Sequence, residues 1–238
     1  MRGLPIRGSG PSCYGRLIDS TDFDNDSINI ARSEVASNDL PVELVPTDGR
    51  YVCLRNLECV VLDLRYAGTN NFAGYSLYRN FDCAWIHGDA FRGLKVAAEF
   101  LRDQGGPWSL LVLDALRPQR VQESIWSRIK GTPLEAYFAD PAHGSIHSFG
   151  MAVDVSLVDG EGRVADMGSG FDQMDALSHP SLETQHLREG RLTSQQIVHR
   201  QLLRSAMSFA GFSGIDSEWW HFDFGDRTRI RATYPRVV

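Results

Sequence analysis

Runs with the two-residue period of strands and runs with the 3.6-residue period of helices follow one another along this chain in no regular order. That irregularity constrains the fold most. A doubly wound sheet needs a repeating strand–helix–strand rhythm, and without one the expected class is α+β, with a mainly antiparallel central sheet flanked by helices. Residues 51–66 are dense in Val, Leu and Cys and predict a strand. Residues 89–104 place Phe91, Leu94, Ala97, Ala98 and Leu101 at helical spacing and stop at Gly105-Gly106. A buried strand is predicted over 108–116, and Pro118 opens a helix through about residue 130, so Arg117 falls at a strand-to-helix corner. Residues 151–158 alternate as a strand does. Residues 193–209 predict a helix with Ile197, Leu202, Leu203 and Met207 inward, and 218–224 are aromatic and β-like.

At 238 residues with 42% hydrophobic side chains, the chain can bury a full core. One domain is expected over residues 46–238, behind an extension, residues 1–45, rich in Ser, Asp, Asn and Gly. A net charge of -6 and no run of Lys or Arg removes the footprint that nucleic acid requires. No stretch approaches the roughly 20 apolar residues of a bilayer span, and no apolar segment follows Arg2 and Arg7 as an export signal would. These features predict no membrane anchor and a cytoplasmic chain, or a periplasmic one from which a signal has been removed. Four cysteines, Cys13, Cys53, Cys59 and Cys83, are too few for a disulfide scaffold. On a continuous strand Cys53 and Cys59 would lie roughly 20 Å apart, too far to bridge, and reduced thiols are expected. Oligomeric state has no signature here.

Two segments carry chemistry: Ser145-Ile-His-Ser-Phe-Gly-Met-Ala-Val-Asp154 and Glu218-Trp-Trp-His221. A catalytic zinc takes three His or carboxylate ligands and leaves a fourth position for water. His147, Asp154 and His221 supply that number, and Gly150 permits the tight backbone between the first two. Glu218 suits the non-ligand carboxylate that moves protons, and Arg117 the fixed cation that stabilises an oxyanion. On an ideal strand Glu218 and His221 point to opposite faces, so a bend has to bring them together. Taken singly, these residues have plainer readings. An isolated HxxxH is more often polar surface than ligand, Arg before Pro is commonly a salt bridge, and Trp219 and Trp220 are first of all core aromatics. His87, His179, His186 and His199 read as solvated or capping.

Five ordered motifs change that balance. Tyr66-Ala-Gly-Thr-Asn-Asn-Phe-Ala-Gly74, Leu116-Arg-Pro118, Ser145-x-His147-x-x-Gly150-x-Ala152-x-Asp154, Met167-Gly-Ser-Gly-Phe-Asp172 and Glu218-Trp-Trp-His221 together resemble the D-alanyl-D-alanine dipeptidases of the VanX type. These zinc peptidases are related to D,D-carboxypeptidases and to the hedgehog signalling domain, and the resemblance implies that fold. It also implies one Zn2+ per chain on His147, Asp154 and His221, with Glu218 as base and Arg117 as transition-state stabiliser. The implied partner is a small dipeptide, its ammonium read by Asp172, with Ser145 beside it and Tyr66 and Asn71 near the pocket wall. Leu116 departs from an aromatic often found before Arg-Pro, and Phe149 from a polar residue. A D,D-carboxypeptidase or related peptidoglycan peptidase is the nearest alternative enzyme. A non-catalytic zinc-binding domain is the other alternative, against which an intact Glu218 and Arg117 count.

Overall fold

The computed structural model describes residues 39–238. The central sheet has five strands in the order β3 (Val60–Leu62), β5 (Trp108–Asp114), β6 (Ala152–Asp159), β8 (His221–Phe224) and β7 (Phe212–Gly214). β3 runs parallel to β5, and the other neighbours are antiparallel. The sheet is therefore mixed, which corrects the expectation of a mainly antiparallel one. A parallel pair needs a crossover. Here β4 (Trp85–His87) and helix α1 (Gly88–Asp103) supply it between β3 and β5, while α2 (Gln119–Ile129) follows β5 and α3 (Glu183–Arg188) lies between β6 and β7. β4 itself pairs with β2 (Tyr51–Cys53), and β1 (Asp39–Leu40) pairs in parallel with the C-terminal β9 (Arg236–Val237).

Alternation along β6 separates the two faces of the sheet. Val153, Val155 and Leu157 join the main core, where Leu94, Ala97 and Leu101 of α1 and Leu203, Ala206 and Met207 of α4 (Ser194–Phe209) cover them. Asp154, Ser156 and Val158 take the opposite face. α4 begins with a capping box between Thr193 and Gln196. Its Leu203 and Met207 are buried as expected, whereas Ile197 and Leu202 are only partly so.

The predicted strand over 51–66 is broken. Leu54–Asn56 forms a 3-10 turn, which sets Leu54 and Leu57 three residues apart on one side, both buried. The apolar density there belongs to that turn and not to a straight strand. Cys59 and Cys83 are free thiols, but Cys53 is disulfide-bonded, so the expectation of reduced thiols throughout fails at this position. Among the described residues no helix is long and apolar enough to cross a membrane.

His186 and His199 are buried, not solvated. Each donates a ring N–H to a backbone carbonyl, His186 Nε2 to Ala176 at 2.7 Å and His199 Nδ1 to Asp166 at 2.8 Å. His87 caps α1, accepting from the Asp89 amide at 3.2 Å.

Candidate metal centre and active site

Register places three acidic and basic side chains in one row across the sheet. Asp114 of β5 lies opposite Asp154 of β6, which lies opposite His221 of β8. The first pairing depends on an irregularity in β5 between Val112 and Asp114. In unbroken register Asp114 would share the helix-covered face with Val112; the extra residue turns it to the face of Asp154. His147 arrives from a 3-10 turn, Ile146–Phe149, which Gly150 ends in the left-handed region at φ 65°. A Cβ on Gly150 would stand 2.9 Å from the His87 amide nitrogen and 2.9 Å from a Tyr51 ring carbon, so only glycine fits. β8 starts at His221, and Glu218 sits on the bent stretch before it, which resolves the opposed faces that an ideal strand would give.

The three candidate ligands converge. His147 Nε2 lies 3.2 Å from His221 Nδ1 and 3.3 Å from Asp154 Oδ1, and His221 Nδ1 lies 3.1 Å from Asp154 Oδ1. A tetrahedral centre with bonds of about 2.0–2.1 Å has edges of about 3.3–3.4 Å, so the triangle fits a small divalent cation. The tautomers fit as well. His147 Nδ1–H donates to the Ala115 carbonyl at 2.7 Å, and His221 Nε2–H donates to Asp223 Oδ1 at 2.8 Å. Both lone pairs then face the same point, and two facing acceptors need a cation between them. Without a metal a proton takes that place. Burial opposes charge on His221, yet Asp223 and Asp154 hold its pKa up at about 10. Burial likewise pushes Asp154 upward, but the His147 and His221 rings more than offset it and leave the carboxyl far below its ordinary range.

Arg117 is buried behind this triad. Its Nε and Nη2 donate to Asp114 Oδ2 at 3.0 and 2.8 Å, Nη2 also to Asp154 Oδ2 at 3.3 Å, and Nη1 to Gln122 at 3.3 Å. The guanidinium lies 4.9 Å from the centroid of the Tyr66 ring. Tyr66 OH donates to Asp172 Oδ1 at 3.2 Å, and the Phe72 amide donates to Asp172 Oδ2 at 3.3 Å. Burial, with the charge of Asp154 added, raises the Asp172 carboxyl to about 8. Burial also raises Glu218 to about 7, against the attraction of His221. Such a carboxyl sits where a proton-transfer group is most useful at neutral pH.

Tyr66, Arg117, Ser145, His147, Asp154, Asp172, Glu218 and His221 all line one cavity of about 250 Å³. Asn71 is not among them. Its amide donates to the carbonyls of Arg65, Gly68 and Tyr75, and its Oδ1 accepts from the amides of Ala73 and Gly74. It shapes the loop that presents the Phe72 amide to Asp172. Sequence reasoning missed Asp114, Tyr78, Gln122, Asp223 and Arg227. Tyr78 OH donates to Asp114, and Arg227 Nε donates to Asp223 at 2.6 Å. Only His221-x-Asp223 carried a readable signal, because residues two apart on a strand share a face.

A buried His–Asp–His triad, a raised carboxyl outside it and a fixed guanidinium lining one cavity are the parts that a metal-dependent hydrolase needs. The family model described as D-ala-D-ala dipeptidase matches residues 52–238. The D-alanyl-D-alanine dipeptidase of Escherichia coli (strain K12) is 35% identical over 180 residues, 74% of this chain and 83% of the relative. That of Enterococcus faecium is 30% identical over 185 residues, 69% of this chain and 85% of the relative. This chain belongs to the D-ala-D-ala dipeptidase family.

Proposed function

We propose that this protein is a zinc dipeptidase that hydrolyses D-alanyl-D-alanine to two D-alanines, with His147, Asp154 and His221 holding one zinc. The observation that carries the reading is the triangle of donor atoms, with edges of 3.1–3.3 Å and lone pairs turned inward, beside a carboxyl raised to about 7. Zinc in such a site lowers the pKa of water to about 7 and polarises a carbonyl. Glu218 takes the proton of the attacking water and returns it to the leaving amine. Arg117, held in place by Asp114 and Gln122, meets the charge that develops on the carbonyl oxygen. Asp172 receives the substrate ammonium, and that cation draws its raised carboxyl back to the ionised form. Ser145 and Tyr66 complete the wall, and Asn71 acts through its loop. A cavity of about 250 Å³ with Asp172 buried in its wall favours a free dipeptide, whose ammonium that carboxyl can meet.

At the finer level of fold, the helix-covered sheet supports a hedgehog and D,D-peptidase-like arrangement. Residues 46–238 form the catalytic domain and 1–45 the extension, with the β1–β9 pairing favouring inclusion of Asp39 and Leu40 in the catalytic unit. The chain acts in the cytoplasm or the periplasm, and the Cys53 disulfide favours an oxidising compartment such as the periplasm. Fractionation of the native host separates the two.

The deciding experiment measures zinc by elemental analysis together with release of D-alanine. Wild type is expected to bind one zinc and to cleave D-alanyl-D-alanine at least about 10²-fold more efficiently than its N-acetylated form or a pentapeptide ending in the same dipeptide, because capping the amine leaves Asp172 without its cation. Glu218→Gln is expected to keep the zinc and lose roughly 10²–10⁴-fold in turnover. Equal cleavage of capped and free substrates would replace the dipeptidase reading with a carboxypeptidase one.

A further inference from the structure

Two chains of contacts lead from the triad into the cavity wall. On one side contacts run from Asp154 through Arg117 and Tyr66 to Asp172. On the other they run from His221 through Asp223 to Arg227. Arg227 opens helix α5 (Arg227–Thr233), and Arg231 follows one turn later on the same helical face. Both arginines line the cavity. Arg231 donates from Nε and Nη2 to the Gly144 carbonyl at 3.4 and 3.1 Å, beside Ser145, and its Nη1 makes no hydrogen bond among the described residues.

We propose that Arg231, supported by Arg227, binds the substrate's α-carboxylate, so that the dipeptide lies across the triad from Asp172 to α5. This rests on the dipeptidase reading. A free dipeptide is a zwitterion whose two charges flank a single peptide unit, and its carboxylate needs a cation once it leaves water. Arg117 cannot serve. A guanidinium has five N–H donors, and four of them are committed to Asp114, Asp154 and Gln122, which leaves one for an oxyanion and no fork for a carboxylate. Arg227 gives its Nε to Asp223, which pairs its charge, and keeps its terminal nitrogens for a supporting contact. Arg231 is exposed at the rim, has an uncommitted nitrogen, and spends its other two on one carbonyl. Of the two, it is the cation that no carboxylate pairs among the described residues.

The test compares kcat/KM for D-alanyl-D-alanine and for its C-terminal amide in wild type, Arg231→Gln and Arg231→Lys, with melting temperatures as a check on folding. Arg231→Gln is expected to lower kcat/KM for the free acid by about 10–100-fold, chiefly through KM, while changing the amide by less than about twofold, since a hydrogen bond to a charged group is what is lost. Arg231→Lys should restore part of the preference for the acid. Equal losses on acid and amide would mean that Arg231 acts only through Gly144, and an unchanged acid would mean that it does not touch substrate; either overturns the assignment. Wild type that cleaves neither compound overturns the dipeptidase reading, and the carboxylate anchor with it.

Discussion

Asp172 sits in the left-handed region, at φ 61°, with its carboxyl raised from 3.8 to about 8 by burial and by the charge of Asp154. The cost of that placement falls on the free protein. Between about pH 4 and 8 the folded state keeps a proton that the unfolded chain has released, so stability is present below the unfolded pKa and is lost as pH rises through the folded one. Asn has the shape of Asp and, like its protonated form, carries no charge and offers one acceptor oxygen and a donor. In metal-free protein Asp172→Asn is therefore expected to melt at a higher temperature than wild type near pH 8, with the gap closing as pH falls toward about 4. Calorimetric melting across that range checks it, and a gap independent of pH would mean that the Asp172 proton plays no part. The same substitution should damage dipeptide cleavage, since the amide cannot pair with an ammonium. On the proposed function, the residue is a place where stability is given up for recognition.

At the scale of elements, the 3-10 turn that carries His147 depends on Gly150 at φ 65° and on the close approach of His87 and Tyr51. Gly150→Ala meets both obstacles at once, strained backbone and a Cβ 2.9 Å from its neighbours, so it should cost about 1–3 kcal/mol and loosen zinc by displacing His147. Denaturant unfolding with an unchanged m-value would register the first effect and zinc retention the second; a variant as stable and as zinc-replete as wild type would refute both. This glycine was legible beforehand, as were His147, Asp154 and His221, whose side chains converge, because each lies in a short segment whose spacing states its own chemistry. What could not be read depends on pairing between distant segments. Asp114 reaches the triad only through the irregularity in β5, Glu218 only through the bend before β8, and Arg227 only because α5 packs beside Asp223. Residues 51–66 misled for a related reason. Leu54 and Leu57 look like strand by composition, and only their neighbours make them a turn.

Across the whole molecule, the candidate ligands tie together stretches that the unfolded chain keeps apart, since His147 and His221 are 74 residues distant in sequence. A cation that binds this triangle binds the folded state alone, and it stabilises the fold by mass action, about 2.7 kcal/mol when free metal is a hundred times its dissociation constant. For a chain of this length that corresponds to about 5–10 °C in melting temperature. Removing metal with a chelator should lower the transition by that amount, and adding zinc back after dialysis should restore it. The shift should vanish in His221→Ala, which leaves two ligands where the site needs three. Wild type must lose both lone-pair neutralisation and cross-linking when its metal leaves, whereas the variant has neither to lose. A chelator-induced drop of equal size in His221→Ala would place the stabilising cation elsewhere in the chain.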